Sequence, residues 1–414
     1  MQDKIPQRLY YTIVLLIPII NALASVTVNY FPRGTINPGT IRAGIIGIFI
    51  LYFFIKTYPL DKTSLLILFT VLYWLTLSFF SSNINKTLYE FLKIFISVMM
   101  FPVGYYIINS KDRLRGLTRS FTFALLVLVG DVILANIFGY GRSDYLDASF
   151  YFGSGRVNIT KAIIVLVLIA PIALKLETKR NRKIIAVIFI LGLFTSLVGI
   201  KRSVLLSAMA GVLIYSFLTP NKAKILKTSF LLLVLSTTVL SFYIDIFLLR
   251  FDARGQRVEV TRETFETESR YGEALRVWDR WKEGTTKHKI FGSEFLNDTY
   301  FFKTNRMLHM DYSIVFNGSG LLGLFLWFAI FYSIIKSKNK YYQYLNNDSF
   351  YRELNAVFWM ILITQLLLSI SGTIYNITIR AHIFLFLGAI IGTMRNEFYS
   401  YWLTSKSTDA GNNS

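Results

Sequence analysis

The stretch RFDARGQRVEVTRETFETESRYGEALRVWDRWKEGTTKHKIFGSEFLNDTYFFKTNRMLHMD, residues 250–311, is too charged to sit in a membrane, and apolar runs flank it on both sides. It holds twelve Lys and Arg against eleven Asp and Glu, so it is almost neutral and is no simple electrostatic tail. Structureless loops of this length are rare in compact proteins, so it is predicted to contain helices and a function. Thr261 to Lys282 reads as one helix: Tyr271, Leu275, Trp278 and Trp281 recur at three- and four-residue spacing, while Glu266 with Arg270 and Glu273 with Arg276 can pair along its surface. An amphipathic helix with tryptophans on it suits a membrane interface.

Outward from this loop the chain is strongly apolar. Of its 414 residues 54% are hydrophobic, and the mean hydropathy is +0.49, which makes it a polytopic, all-α membrane protein. Runs long enough to cross a bilayer lie near 10–30, 40–57, 64–80, 90–108, 119–139, 160–176, 184–200, 203–219, 228–249, 312–335, 354–374 and 379–394, about twelve in all. The expected organisation is nine spans over 1–249, an external loop over 250–311, three spans over 312–396, and a cytoplasmic tail over 397–414.

Charge tests this count. Lys4 and Arg8, Lys111, Arg113 and Arg115, Lys179, Arg180, Arg182 and Lys183, Lys222, Lys224 and Lys227, and Lys336, Lys338 and Lys340 all fall on one side if twelve spans are counted. Basic loops mark the cytoplasmic side, so both termini are expected inside and the 250–311 loop outside. The net charge of +20 is thus a topology signal, and no nucleic-acid partner is expected. Met1 to Arg8 leads into an apolar run with no small-residue cleavage site, which predicts a retained first helix. The chain has no cysteine and three histidines without paired spacing, so disulfides, thiolate chemistry and a zinc site are not expected.

Several polar residues stand at or within the spans. Lys201 and Arg202 join the seventh and eighth runs at the external face, against the positive-inside trend; they read either as a snorkelling pair or as an anion site. Asp131 lies inside the fifth run, where a carboxylate is costly unless paired or near water. Arg142, Arg156 and Lys161 belong to a second external segment, and Arg380 and His382 begin the last helix from outside. His309 sits at the external mouth of the tenth span, as a structural group or as a base.

Three features in this order resemble the O-antigen ligase and polymerase family of membrane glycosyltransferases, which act on polyprenyl-diphosphate-linked glycans. They are Gly199-Ile200-Lys201-Arg202-Ser203 opening a helix, Ser269-Arg270 through Trp278 to Phe291-Gly292 in a long external loop, and His309 followed by Tyr312 and Gly320-Leu321-Leu322-Gly323. The resemblance covers about the C-terminal half and implies a GT-C-like fold in the bacterial inner membrane. It also implies that Arg202 and a loop arginine bind the diphosphate, and that His309 is catalytic. The family places its loop arginine one turn before the aromatic, where this chain has Ala274; Arg270 and Arg276 lie on either side. The histidine is followed here by Met310 where the family has Asn.

Chemistry agrees with that picture. Arginine grips phosphate oxygens with a planar, permanently charged fork, which suits Arg202, Arg270 and Arg276, with Lys201 beside them. His309 can take the acceptor hydroxyl's proton while the arginines stabilise the departing diphosphate. The expected reaction is an inverting transfer that uses no metal and no cofactor. A polymerase acting on O-antigen, capsule or exopolysaccharide repeat units is favoured. The alternatives are a ligase with lipid A-core as acceptor, or a flippase or transporter. Expected partners are the lipid-linked donor, the glycan or lipid A-core acceptor, the bilayer and a chain-length regulator.

Overall fold

The computed structural model describes residues 4–28, 38–56, 60–138, 157–198, 202–219, 269–297, 308–372 and 374–411. These are helical, with no strand among them. In chain order the helices are α1 (Lys4–Val28), α2 (Pro38–Lys56), α3 (Lys62–Phe79), α4 (Ile84–Ile107), α5 (Lys111–Phe138), α6 (Val157–Val167), α7 (Ala170–Leu176), α8 (Lys179–Val198) and α9 (Arg202–Leu218). They continue with α10 (Ser269–Glu283), α11 (Thr286–Phe291), α12 (Asp311–Leu345), α13 (Ser349–Ser371) and α14 (Ile377–Gly411).

Eight of them, α1 to α5 and α12 to α14, are long and apolar enough to cross a membrane, so this is a multi-pass membrane protein. The predicted sixth span is two helices, because Pro171 has no N–H to give the carbonyl of Val167 and the helix restarts at Ala170. The predicted seventh and eighth spans are α8 and the shorter α9, whose apolar part is Leu206–Leu218. The predicted ninth span, 228–249, lies outside the described residues, as do Lys222, Lys224 and Lys227. Helical structure also runs further than expected: Lys336, Lys338 and Lys340 belong to α12, and α14 continues through much of the predicted tail.

The bundle is built around α14, whose apolar window is wholly buried. It meets α4 backbone to backbone: a Cβ on Gly104 would lie 2.2 Å from the Leu385 carbonyl oxygen, and one on Gly388 would lie 2.1 Å from that of Phe101. Small residues allow such an approach, and close packing is what holds helices together in lipid. Elsewhere polar caps set the helix starts. Asp61 accepts from Thr63 N at 2.9 Å, and Asp348 accepts from Phe350 N at 2.7 Å.

Contacts at the helix ends establish which end each helix starts from. At one end, Tyr11 lies under Arg113, the backbone N–H of Asp61 donates to the Tyr106 hydroxyl, Lys111 pairs with Asp348, Lys175 donates to the Ser349 carbonyl, and Thr219 bonds Glu353. At the other, Ser25 and Arg42 meet Thr378, Ser81 meets Glu294, Lys161 meets Gly372, and Glu273 meets His309. The chain therefore leaves α9 at the first end and resumes in α10 at the second. Arg113, Arg115, Arg180, Arg182 and Lys183 gather at the first end, as the charge pattern predicted.

Candidate active site

At the second end the start of α12 is held by buried charge. Asp311, its first residue, is fully buried; one carboxylate oxygen accepts from Ile374 N at 2.7 Å and the other pairs with the Arg380 guanidinium. Arg380 is buried over the Trp327 ring, 5.2 Å from its centroid, and donates to Ser369 Oγ at 3.1 Å. The Gln365 amide, oriented with its oxygen toward Arg380, accepts from both terminal nitrogens at 3.2 Å. A buried ion pair repays its desolvation only when its remaining hydrogen bonds are made, and α13 supplies those of the two terminal Arg380 nitrogens through Ser369 and Gln365.

This lock positions the two residues just before it. Gly372 has φ +79°, a conformation that favours glycine, and a Cβ there would lie 1.5 Å from the His309 carbonyl oxygen. On the far side of that glycine Lys161, buried in the first turns of α6, donates to the Gly372 carbonyl at 3.2 Å. Lys161 was expected in the external segment before α6; burial of its stem in the bundle brings it to the site. Arg142 and Arg156 lie outside the described residues.

The His309 side chain is set by α10. Its ring Nδ1 lies 3.1 Å from Glu273 Oε1, and its backbone N–H donates to Glu273 Oε2 at 3.0 Å. The carboxylate is 4% exposed and the imidazole 49%, so a buried acid orients an imidazole that solvent can reach. A carboxylate on Nδ1 keeps the proton there and leaves Nε2 as the acceptor, which is the arrangement a general base needs. Glu273 was expected on the surface of its helix, paired with Arg276. It instead stands one turn before Val277 and two before Trp281, on the stripe that faces α12, and is 3% exposed.

The rest of that stripe anchors α10. Trp281 stacks on Trp278 at 4.9 Å and meets Phe316 of α12 at 5.7 Å. Arg280, two turns after Glu273, donates to Asn317 Oδ1 at 3.0 Å and to Ser293 Oγ at 2.6 Å. Ser293 Oγ also lies 3.0 Å from His288 Nε2; burial and the Arg280 charge push the His288 imidazole below its ordinary range. Gly292 and Gly320, both at positive φ, let the chain after α11 lie directly on the kink in α12, where a Cβ on Gly320 would meet the Ile290 carbonyl at 2.4 Å. Beyond it Glu294 accepts from Ser81 Oγ, Ser82 N and Asn297 Nδ2 at 3.0, 3.0 and 2.8 Å. Burial opposes its charge, but those bonds outweigh burial and hold it below the usual carboxylate range.

The other predicted site residues distribute as follows. Arg202 is the first residue of α9, as its motif implied; α9 runs antiparallel to α13, with Thr364 bonded to the Ser207 carbonyl at 3.2 Å, so Arg202 comes level with the last turns of α13, near Gly372. Arg270 lies one turn before Glu273 on α10. The side chains of both arginines, and all of Lys201, lie outside the described residues. Arg276 is exposed, and its Nε donates to the Gly272 carbonyl at 3.0 Å. Asp131 is buried in α5, and His382 is buried in α14 against Phe121 and Asn21, so neither belongs to the His309 group. Sequence reasoning named Glu273, Lys161 and Arg380 without assigning them to the His309 group, and did not pair Arg380 with Asp311; a carboxylate four residues before Val277 and eight before Trp281 was the available sign for Glu273.

Fold and site together define a multi-pass helical membrane protein with a carboxylate-oriented histidine at the end of the bundle opposite its basic loops. Neither a family model nor a curated protein matches the chain.

Proposed function

We propose that this protein is a membrane glycosyltransferase that polymerises polyprenyl-diphosphate-linked oligosaccharide units at the outer face of a bacterial cytoplasmic membrane. The observation that carries the reading is the Glu273–His309 pair, with Nδ1 3.1 Å from the carboxylate and the ring half-exposed at the site end of the bundle. The sequence resemblance supports it, since it assigns His309 the same role. The basic loops at the opposite end support an external position for His309, with both termini in the cytoplasm.

In this mechanism the acceptor hydroxyl oxygen attacks the anomeric carbon of the donor glycan and gives its proton to His309 Nε2. The bond between that carbon and the diphosphate oxygen breaks, and its electron pair leaves with polyprenyl diphosphate. Attack from the face opposite the leaving group inverts the anomeric carbon. Arg202 and Arg270 or Arg276 bind the diphosphate and stabilise the charge that develops on it. Glu273 holds the imidazole in the accepting tautomer and stabilises the imidazolium that forms.

The test is product formation by the purified full-length protein in detergent, with a lipid-linked repeat unit as donor. Polymer with a second repeat unit as acceptor is expected, and His309→Gln should lose about 10²- to 10⁴-fold in turnover while still binding donor. Transfer to lipid A-core alone would make the enzyme a ligase. Absence of product with either acceptor, from protein that is folded and binds donor, would overturn the reading.

A further inference from the structure

Where α10 turns into α11 there is an open cleft of about 500 Å³. Its wall carries Arg280, Lys287, His288, Thr285 and Ser293, with Glu283 as the opposing charge. The Arg280 guanidinium donates to Asn317 Oδ1 and Ser293 Oγ, and the same serine hydroxyl fixes His288 at 3.0 Å. A guanidinium, an ammonium, an imidazole and hydroxyls on one concave surface match the geometry of a phosphate group.

The height of the cleft identifies the source of that phosphate. Ser293 on its wall leads into Glu294, which is bonded to Ser81 and Ser82 immediately beyond α3. α3 is an apolar span that ends at Phe79, so the cleft stands at the level where a membrane crossing stops. Exposed apolar side chains ring the same level: Phe79 and Phe80 at the end of α3, Trp278 on α10, and Ile290 and Phe291 at the end of α11. Lys282 lies over Trp278 and Lys289 over Trp281, at 5.6 Å in each case. Aromatic and basic residues interleaved in this way belong at the boundary between hydrocarbon and headgroups. The position is separate from the dyad: Arg280 follows Glu273 by seven residues, about 10 Å along the helix axis.

We propose that the α10–α11 cleft binds the headgroup phosphate of an anionic phospholipid, and so seats the site-bearing segment on the membrane surface. This inference does not depend on the glycan chemistry proposed above. It is tested with the full-length protein in phosphatidylcholine nanodiscs, by following Tm as the fraction of phosphatidylglycerol increases. Wild type should gain Tm with phosphatidylglycerol. Lys287→Ala, on an exposed side chain, should keep the wild-type Tm in pure phosphatidylcholine and need about fivefold more phosphatidylglycerol for half the shift. His288→Gln combined with it should abolish the response.

Inorganic phosphate added to pure phosphatidylcholine discs separates the two sources of the group. No Tm shift at millimolar phosphate supports the lipid headgroup. A shift equal to that from phosphatidylglycerol, lost in the same variants, keeps the phosphate site but overturns its assignment to lipid. A full response in the double variant overturns the site itself.

Discussion

Replacing Glu273 by Gln changes almost no volume and isolates what the carboxylate does. In the native arrangement both carboxylate oxygens accept, one from the His309 backbone N–H at 3.0 Å and one at 3.1 Å from Nδ1. A glutamine offers one accepting oxygen and one donating NH₂. If its oxygen keeps the backbone N–H, its NH₂ faces Nδ1, which must then accept, and the ring proton moves to Nε2. The nitrogen that should take the substrate's proton is thereby blocked. Loss of a well-placed general base costs about 10²- to 10⁴-fold, or roughly 3 to 5 kcal/mol of barrier at 1.36 kcal/mol per factor of ten. Loss of one charge-assisted hydrogen bond costs about 1.5 to 3 kcal/mol of stability. The assay pairs turnover of the lipid-linked donor with the ¹⁵N shifts of the His309 ring, which report the tautomer even if the substrate assignment is wrong. Turnover within threefold of wild type, with the ring proton moved to Nε2, would refute the base. An unmoved ring proton would refute the claim that Glu273 sets the tautomer.

Two further perturbations test how the bundle is held at its two ends. Asp311→Asn leaves the buried Arg380 guanidinium without its counter-charge and should cost about 3 to 5 kcal/mol, whereas Asp311→Leu with Arg380→Met should recover much of that loss; thermal unfolding in detergent distinguishes these outcomes, and an Asp311→Asn protein as stable as wild type would exclude the lock. At the opposite end the Arg119 and Arg115 guanidinium groups hold the Glu177 carboxyl down to about 2 from its ordinary 4.5. A depressed acid stabilises the fold fully above its unfolded value, and that contribution fades as pH falls from about 4.5 toward about 2. Glu177→Gln should therefore lower Tm at pH 7 and flatten its decline between pH 5 and pH 3; an unchanged acid decline would assign the acid sensitivity to other groups.

The helical spans were legible because hydrophobic length is a local property, and a run such as 119–139 announces itself without reference to anything else. Breaks inside a run were harder to place. Pro171 could be read as a break only by weighing its missing N–H against the apolar residues around it, and the kink at Gly320 depends on the Ile290–Gly292 segment that lies on it. The site was legible in part. His309 stood out by type and position, but its partner lies 36 residues away in sequence, and residues 261–282 offered Glu273 a plausible surface mate in Arg276. Helical spacing constrains neighbours on one helix and says nothing about which other helix a face will meet.

Opposite charges in spans that begin on the same side of the membrane are a stronger sign than either charge alone. Asp311 and Arg380 each open an apolar span, and the predicted topology started both spans at the external face. In hydrocarbon neither charge is tolerable by itself, so the cheapest arrangement consistent with that topology is to pair them, as the structure does. The same reasoning extends to the residues just before them. Ile374 and Gly372 precede Arg380, and His309 precedes Asp311 by two positions, so pairing the charges necessarily carries the histidine to the α13–α14 connection. The position of the candidate base is thus a consequence of where two buried charges must meet, while its orientation depends on a third helix that brings in Glu273.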